Sequence, residues 1–266
     1  MAENGAVLEK AISGDGTPIA YWRSGSGPGL VLVHGTTADH SRWETVLPLL
    51  EPHVTVYAID RRGRGGSGDA TDYSIEDEFG DVAAVVDAIG EPVDLLGHSY
   101  GALCALEASM RTAGVRRLVL YEPPIGPVAP REFVNRLATL HAQGQREETV
   151  TAVLEFIGMP PEQIELVKSL PSWPNRVAAA HTVVREFQAE EAYVFQPERF
   201  AALTVPTLLL VGTDSPPEIL AAHDAVAAAV PDAGVVTLSG QGHVAMLTAP
   251  DLFAREVLRF LHASTA

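Results

Sequence analysis

A serine hydroxyl becomes a useful nucleophile only where the backbone presents it and a base can take its proton. Residues 93–102, Val-Asp-Leu-Leu-Gly-His-Ser-Tyr-Gly-Ala, meet the first condition. An apolar run stops at Gly97, a small-residue helical pattern starts at Gly101, and Ser99 sits between them. A chain that passes from strand to helix so quickly forces its middle residue into a strained conformation, and the residues two positions either side must be small. Such an elbow lifts one hydroxyl above the edge of a sheet and aims the N-terminus of the next helix at it. A serine that merely suits a tight turn is the plainer explanation, and the flanking strand and helix weigh against it.

The base is sought among nine histidines. His243 follows Ser-Gly-Gln-Gly in a loop after the last predicted strand and precedes a helix opened by Thr248 and Asp251, a placement the others lack. His98, beside Ser99, is expected to point away and pack. His40, His53, His141, His181, His223 and His262 read as solvated or structural. No H-E-x-x-H or similar spacing occurs, so no metal is expected. Two carboxylates could orient the imidazole. Asp214 lies in the loop after a predicted strand, and Glu122 ends another at the same sheet edge.

The elements that must hold these groups follow a regular rhythm. Residues 7–12 and 18–23 read as a hairpin around Ser-Gly-Asp-Gly-Thr-Pro. Further strands are predicted over 29–33, 54–59, 93–97, 117–121, 207–211 and 235–238. Helices are predicted around 43–50, over 74–89 with Ser74 and Asp77 spaced as a capping box, and from the elbow to about 111. The alternation implies a mostly parallel sheet with right-handed crossovers. It breaks at Glu122-Pro-Pro, after which only helical patterns occur, over 131–142, 146–157, 161–169 and 175–192. It resumes with 207–211 and ends with helices over 216–230 and 251–262. An all-helical stretch between two sheet strands reads as a cap, dividing the chain into a core of 1–122 and 204–266 and a cap of 123–203. Trp173, Phe187, Tyr193 and Phe195 lie in the insertion, and some are expected to line an apolar pocket over Ser99.

The order His34-Gly35, Asp60-Arg-Arg-Gly-Arg-Gly-Gly-Ser67, Gly97-His-Ser99-Tyr-Gly101, Gly212-Thr-Asp214 and Gly242-His243 resembles the α/β-hydrolase superfamily over nearly the whole chain. The resemblance implies an α/β fold with an eight-stranded, mainly parallel sheet flanked by helices, and a site at its C-terminal edge. It implies Ser99 as nucleophile, His243 as base, an oxyanion hole from the Thr36 and Tyr100 N–H groups, and His34 and Gly35 in the loop against the substrate. The superfamily order favours Asp214 as the triad acid. Its usual place is three residues past the glycine, where this chain has Ser215, and Ser215-Pro-Pro-Glu218 also reads as a capping box. Glu122 is the alternative, since some cap-bearing relatives take their acid from that strand. Serine at the elbow argues against dehalogenase or epoxide-hydrolase chemistry, in which relatives use Asp. The implied activity is serine hydrolysis of a small, fairly apolar ester, lactone or thioester through an acyl-enzyme. Elimination, C–C cleavage, perhydrolysis or cyclisation on the same scaffold, or a receptor role with little turnover, are the alternatives.

Composition narrows the partners. The balance of 18 Lys+Arg against 34 Asp+Glu gives a formal charge of −16, which repels nucleic-acid phosphates. The single cysteine, Cys104, excludes an internal disulfide and reads as a small core residue. The N-terminus lacks a basic patch and an apolar stretch, and no apolar run approaches membrane-spanning length, so a cytoplasmic protein with a small-molecule substrate is expected. Gly63-Arg-Gly65-Gly-Ser-Gly68 matches a dinucleotide fingerprint, yet no helix pattern opens inside it, so no cofactor is expected. Arg61, Arg62 and Arg64 are expected to pair with local carboxylates. The oligomeric state is not legible.

Overall fold

Eight strands form one sheet: β1 (Val7–Ile12), β2 (Pro18–Gly25), β3 (Gly29–Val33), β4 (Thr55–Ile59), β5 (Val93–His98), β6 (Val115–Tyr121), β7 (Thr207–Gly212) and β8 (Gly234–Leu238). The structure is a computed structural model that describes residues 5–126 and 129–263. Strand order is β1-β2-β4-β3-β5-β6-β7-β8. The β1–β2 hairpin and the β2–β4 pair are antiparallel; every other pair is parallel. The central strands are buried on both faces, and their residues alternate between two cores. Val31, Val33, Leu95, Leu118, Leu120 and Leu209 point into one. Leu30, Leu32, Leu96, Val119, Leu208 and Leu210 point into the other.

Helices cover both faces. The helices α2 (Ile75–Ile89), α3 (Tyr100–Ala108) and α10 (Pro217–Ala229) contribute to the first core, and α1 (Leu47–Leu50), α11 (Ala245–Thr248) and α12 (Pro250–Leu261) to the second. Ser74 caps α2 as expected, with its hydroxyl accepting from Glu76 N–H and Asp77 returning the contact. All nine residues of α3 are buried, which suits a helix of small residues inserted directly behind the elbow.

Between β6 and β7 lie α4 (Arg131–Ala142), α5 (Arg146–Phe156), α6 (Pro161–Ser169), α7 (Trp173–Ala178), α8 (Val183–Ala192) and α9 (Pro197–Phe200). Val134, Leu137, Val153, Val183 and Phe187 give α4, α5 and α8 a small core of their own, joined by Phe133 and Phe156. The single helix expected over 175–192 is broken by a 3₁₀ turn at Ala179–Thr182. There the Thr182 hydroxyl donates to Ala179 O at 2.8 Å and accepts from Arg64 at 2.6 Å. The capping box expected at Ser215–Glu218 does not form. The N-cap of α10 is Pro216, without a side-chain cap, and Ser215 is used elsewhere. Among the described residues no helix is long and apolar enough to cross a membrane.

Candidate active site

The elbow forms as its steric demands require. Ser99 has φ 55° and ψ −129°, between the end of β5 and the start of α3. A Cβ on Gly97 would lie 2.3 Å from Gly101 O, and one on Gly101 would lie 2.4 Å from Val33 O and His34 O. Only glycine fits either position. Four described non-glycine residues have positive φ, and three of them, Thr37, Ser99 and Glu122, line the same cavity. Strain of this kind, about 1–3 kcal/mol per residue, persists only where surrounding structure enforces it.

That cavity has a volume of about 370 Å³ and opens between the C-terminal edge of the sheet and the inserted helices. Ser99, His243, Glu122, Thr36, Thr37, Arg42 and Glu190 supply much of its polar lining; Val153, Phe156, Ile157, Phe187 and Ile219 supply apolar wall. Of the four aromatic residues singled out in the insertion, Phe187 alone lines this cavity. Trp173 packs in the second core, and Tyr193 donates its hydroxyl to Glu107 at 2.7 Å. Phe195 stacks on Phe200, with ring centroids 5.2 Å apart.

His243 is held from several sides. Its Nδ1 donates to Glu122 Oε2 at 2.5 Å, leaving the Nε2 lone pair for a proton acceptor role. Its backbone carbonyl accepts from His98 Nε2 at 2.8 Å. The Tyr121 hydroxyl donates to Gly242 O and accepts from Ala245 N at 3.1 Å, so β6 grips the loop on both sides of the histidine. Glu122 is buried at the end of β6, and its other oxygen accepts from Gly212 N–H at 2.8 Å and Ser215 Oγ at 2.5 Å. Burial alone would raise its pKa. The hydrogen bond and charge of His243, with those two donors, outweigh burial and hold the carboxyl below its ordinary value.

The preference for Asp214 as the partner of His243 therefore needs correction. Asp214 is exposed, and its carboxylate accepts from the neighbouring Thr213 hydroxyl at 2.9 Å. The imidazole meets the alternative, Glu122. Ser215, where the acid was sought by position, carries a hydroxyl that reaches back to the same carboxylate.

Among the described residues the Thr36 and Tyr100 N–H groups are spent on no acceptor, as an oxyanion hole requires. The loop carrying Thr36 is pinned from the insertion, because Arg176 donates to Thr37 O at 2.9 Å. His34 and Gly35, expected against the substrate, are not among the cavity-lining residues. His34 is fully buried; its Nδ1 donates to Gly35 O at 2.8 Å and its Nε2 accepts from Arg61 N at 3.1 Å. Gly35 admits the close passage of this loop, since a Cβ there would sit 2.9 Å from the Ser99 Cβ. His98 packs against His243 as expected and also touches the cavity wall.

The arginines after β4 pair with carboxylates. Arg62 forms a two-point contact with Asp81 at 2.7 Å for each bond. Arg61 reaches Glu78 at 2.9 Å and Glu186 of α8 at 3.0 Å, and Arg64 also contacts Glu186. Glycines of the dinucleotide-like stretch serve this loop instead: Gly66 N–H donates to Asp60 at 2.9 Å. One cluster of metal-type donors exists among the described residues, Asp39, His40 and Asp60. Asp60 already accepts from His40, Trp22 and Gly66, so hydrogen-bond donors occupy its oxygens. Cys104 is buried in the core.

Comparison with known proteins names the family. The model described as "Alpha/beta hydrolase family" matches residues 30–256. This chain belongs to that family. An α/β hydrolase from Sphaerobacter thermophilus superposes with a TM-score of 0.82 at 37% identity, over 95% of this chain and 100% of that one. An esterase from a Rhodococcus species superposes with a TM-score of 0.80 at 26% identity, over 96% and 98%. N-formylmaleamate deformylase of Pseudomonas putida is 36% identical over 131 residues, 47% of this chain and 49% of the relative, so the chain spans about half that enzyme's length in the match. A 2-(acetamidomethylene)succinate hydrolase from Mesorhizobium japonicum is 25% identical over 90% of each chain. These relatives are hydrolases of the α/β superfamily.

Proposed function

We propose that this chain is a serine hydrolase that cleaves a small, fairly apolar ester, lactone or thioester through an acyl-enzyme. The observation that carries the reading is the His243–Glu122 contact of 2.5 Å, on an imidazole that shares one cavity with the strained Ser99. Ser99 Oγ attacks the substrate carbonyl while His243 Nε2 takes its proton. Glu122 holds the imidazole in the tautomer with Nδ1 protonated and stabilises the imidazolium that forms. The Thr36 and Tyr100 N–H groups receive the developing oxyanion, where fixed donors act without reorganising. His243 returns the proton to the leaving group, then activates the water that releases the acyl chain. In this reading the helices between β6 and β7 act as a cap that excludes bulk water, and Phe156 and Phe187 give the pocket its apolar side.

The deformylase and the (acetamidomethylene)succinate hydrolase among the relatives extend the bond classes worth testing to amides. Labelling with a fluorophosphonate probe tests the nucleophile: wild type should label and Ser99→Ala should not. A folded wild-type protein that stays unlabelled would point instead to a binding role. Turnover of 4-nitrophenyl esters of graded length then defines the acyl pocket.

A further inference from the structure

The cavity is lined by one arginine among the described residues, Arg42, and no side chain among them meets its guanidinium in a hydrogen bond or ion pair. Arg42 sits in the 3₁₀ turn His40–Trp43 after the Thr36 loop and is only 7% exposed. It lines the cavity with Ser99 and His243. Its guanidinium makes no hydrogen bond and no ion pair among the described residues, and its Nε is buried without an acceptor. Arg61, Arg64 and Arg176 also have a buried Nε without an acceptor, but the rest of each guanidinium is bonded. Arg61, Arg62 and Arg64 each meet at least one carboxylate, and Arg176 has Thr37 O at 2.9 Å.

The local charge is unbalanced. Arg42 and Arg176 repel each other, and the buried carboxylate facing both is Asp39. Glu44, which also faces Arg176, is exposed and screened by solvent. Asp39 Oδ1 accepts from the amide and hydroxyl of Ser41, and its Oδ2 is buried with no hydrogen-bond partner, bonded to neither arginine. Two guanidiniums thus share one buried anion and leave about one positive charge at the wall. Burial and the Arg176 charge push the Arg42 pKa well down from its ordinary value, with Asp39 opposing them. A folded chain that keeps such a group keeps it at a cost to stability. A planar guanidinium matches a carboxylate in a two-point contact, and one unbalanced charge suits a monoanion.

We propose that Arg42 is a carboxylate anchor: besides the carbonyl attacked by Ser99, the substrate carries a free carboxylate that completes the Arg42 guanidinium. The proposal deepens the hydrolase reading and rests on it for the bond that is cleaved. It selects acyl compounds with an acid at one end over neutral esters of the same size.

The probes are 4-nitrophenyl hemiesters of succinate, glutarate and adipate, each paired with its neutral methyl-capped diester. In the Ser99→Ala protein, which cannot turn them over, calorimetric titration should show the best hemiester binding at least tenfold tighter than its diester. Adding Arg42→Met should bring the pair within about twofold. In the enzyme with Ser99 intact, the ratio of kcat/KM for hemiester over diester should fall at least 30-fold in Arg42→Met and partly recover in Arg42→Lys. Equal binding of acid and diester, or a preference that survives Arg42→Met, overturns the proposal. Arg42→Met should melt at or above the wild-type temperature, because it removes an unmet buried charge. Should it fail to fold, Arg42→Gln carries the same ratio test. Failure of wild type to cleave any probe would count against the hydrolase reading alone, since binding to Ser99→Ala still decides the role of Arg42.

Discussion

The two sides of the cavity follow opposite rules. Where β6, β7 and the His243 loop meet, the charges are answered from within: His243 by Glu122, and Glu122 by Gly212 and Ser215. On the side built by the His40–Trp43 turn and α8, the Arg42 and Glu190 side chains line the same space and make no hydrogen bond or ion pair among the described residues. A fully satisfied polar network is rigid and serves any substrate in the same way. An unmet buried group costs stability until a ligand completes it. The difference separates the parts that would perform the chemistry from those that would choose the molecule.

The largest expected effect breaks the satisfied side. Glu122→Ala should lower kcat about 10⁴-fold, the size of loss seen when a triad acid is disabled. Asp214→Ala should stay within a few-fold of wild type, because that carboxylate is exposed and bonded to Thr213. Steady-state kinetics on the best ester decides, and the reverse pattern would return the acid to Asp214. Next in size is a change that turns answered charges into unanswered ones away from the substrate. Glu186→Ala strips Arg61 and Arg64 of their shared carboxylate and should cost about 3–5 kcal/mol in urea unfolding. A loss no greater than that of Arg42→Met would erase the distinction between the two kinds of arginine.

The satisfied side was half legible in the sequence. Ser99 could be found because sterics leave only glycine at 97 and 101, a constraint printed in five consecutive residues. The alternation of β-strand and helix likewise made the sheet legible, since each central strand carries its own apolar run. The partner of His243 was not legible: Glu122 and Asp214 both follow strands at the same edge, and the choice depends on which loop turns inward. The positive φ of Glu122 and the reach of Ser215 decide that turn, and neither has a local signature. The unmet side was missed altogether. Arg42 differs from a solvated arginine only through its burial, and Glu186 meets Arg64 across 122 residues of chain. Pairings of that separation are set by how α8 docks on the sheet, which no short window of sequence encodes. A clue for Arg42 did exist, in an arginine directly before a buried tryptophan in the loop that follows β3.

Glu190 offers a finer probe of the unmet side. Burial and the neighbouring Glu186 charge raise its pKa to about 8, with Arg61 opposing them. Below its unfolded value both states hold the proton. As pH climbs from about 4.5 towards 8, the unfolded chain releases it while the folded chain retains it, so stability is progressively lost through that window. Glu190→Gln should flatten the decline in melting temperature between pH 5 and pH 8.5. Glu78 and Asp81, also raised chiefly by burial, remain in both proteins, so the difference between the two curves isolates Glu190. Superimposable curves would show that this carboxyl is ionised in the folded chain.

The smallest effect tests how much the satisfied side depends on its outermost member. Ser215 touches Glu122 and not the imidazole, so its hydroxyl acts by fixing the carboxylate that fixes His243. Ser215→Ala leaves Glu122 with Gly212 N–H and His243, and the acid stays in place with one donor fewer. Losing a single hydrogen bond to a charged group should lower kcat about tenfold, or ~1.4 kcal/mol, with KM unchanged. Ser215→Thr restores the hydroxyl and should restore most of the rate. A serine that merely fills space would alter the melting temperature and leave kcat alone, and threonine would then rescue nothing. The two outcomes differ because a positioning residue is felt only through the group it positions. A tenfold loss here beside 10⁴-fold at Glu122 would grade the satisfied side from its centre outward.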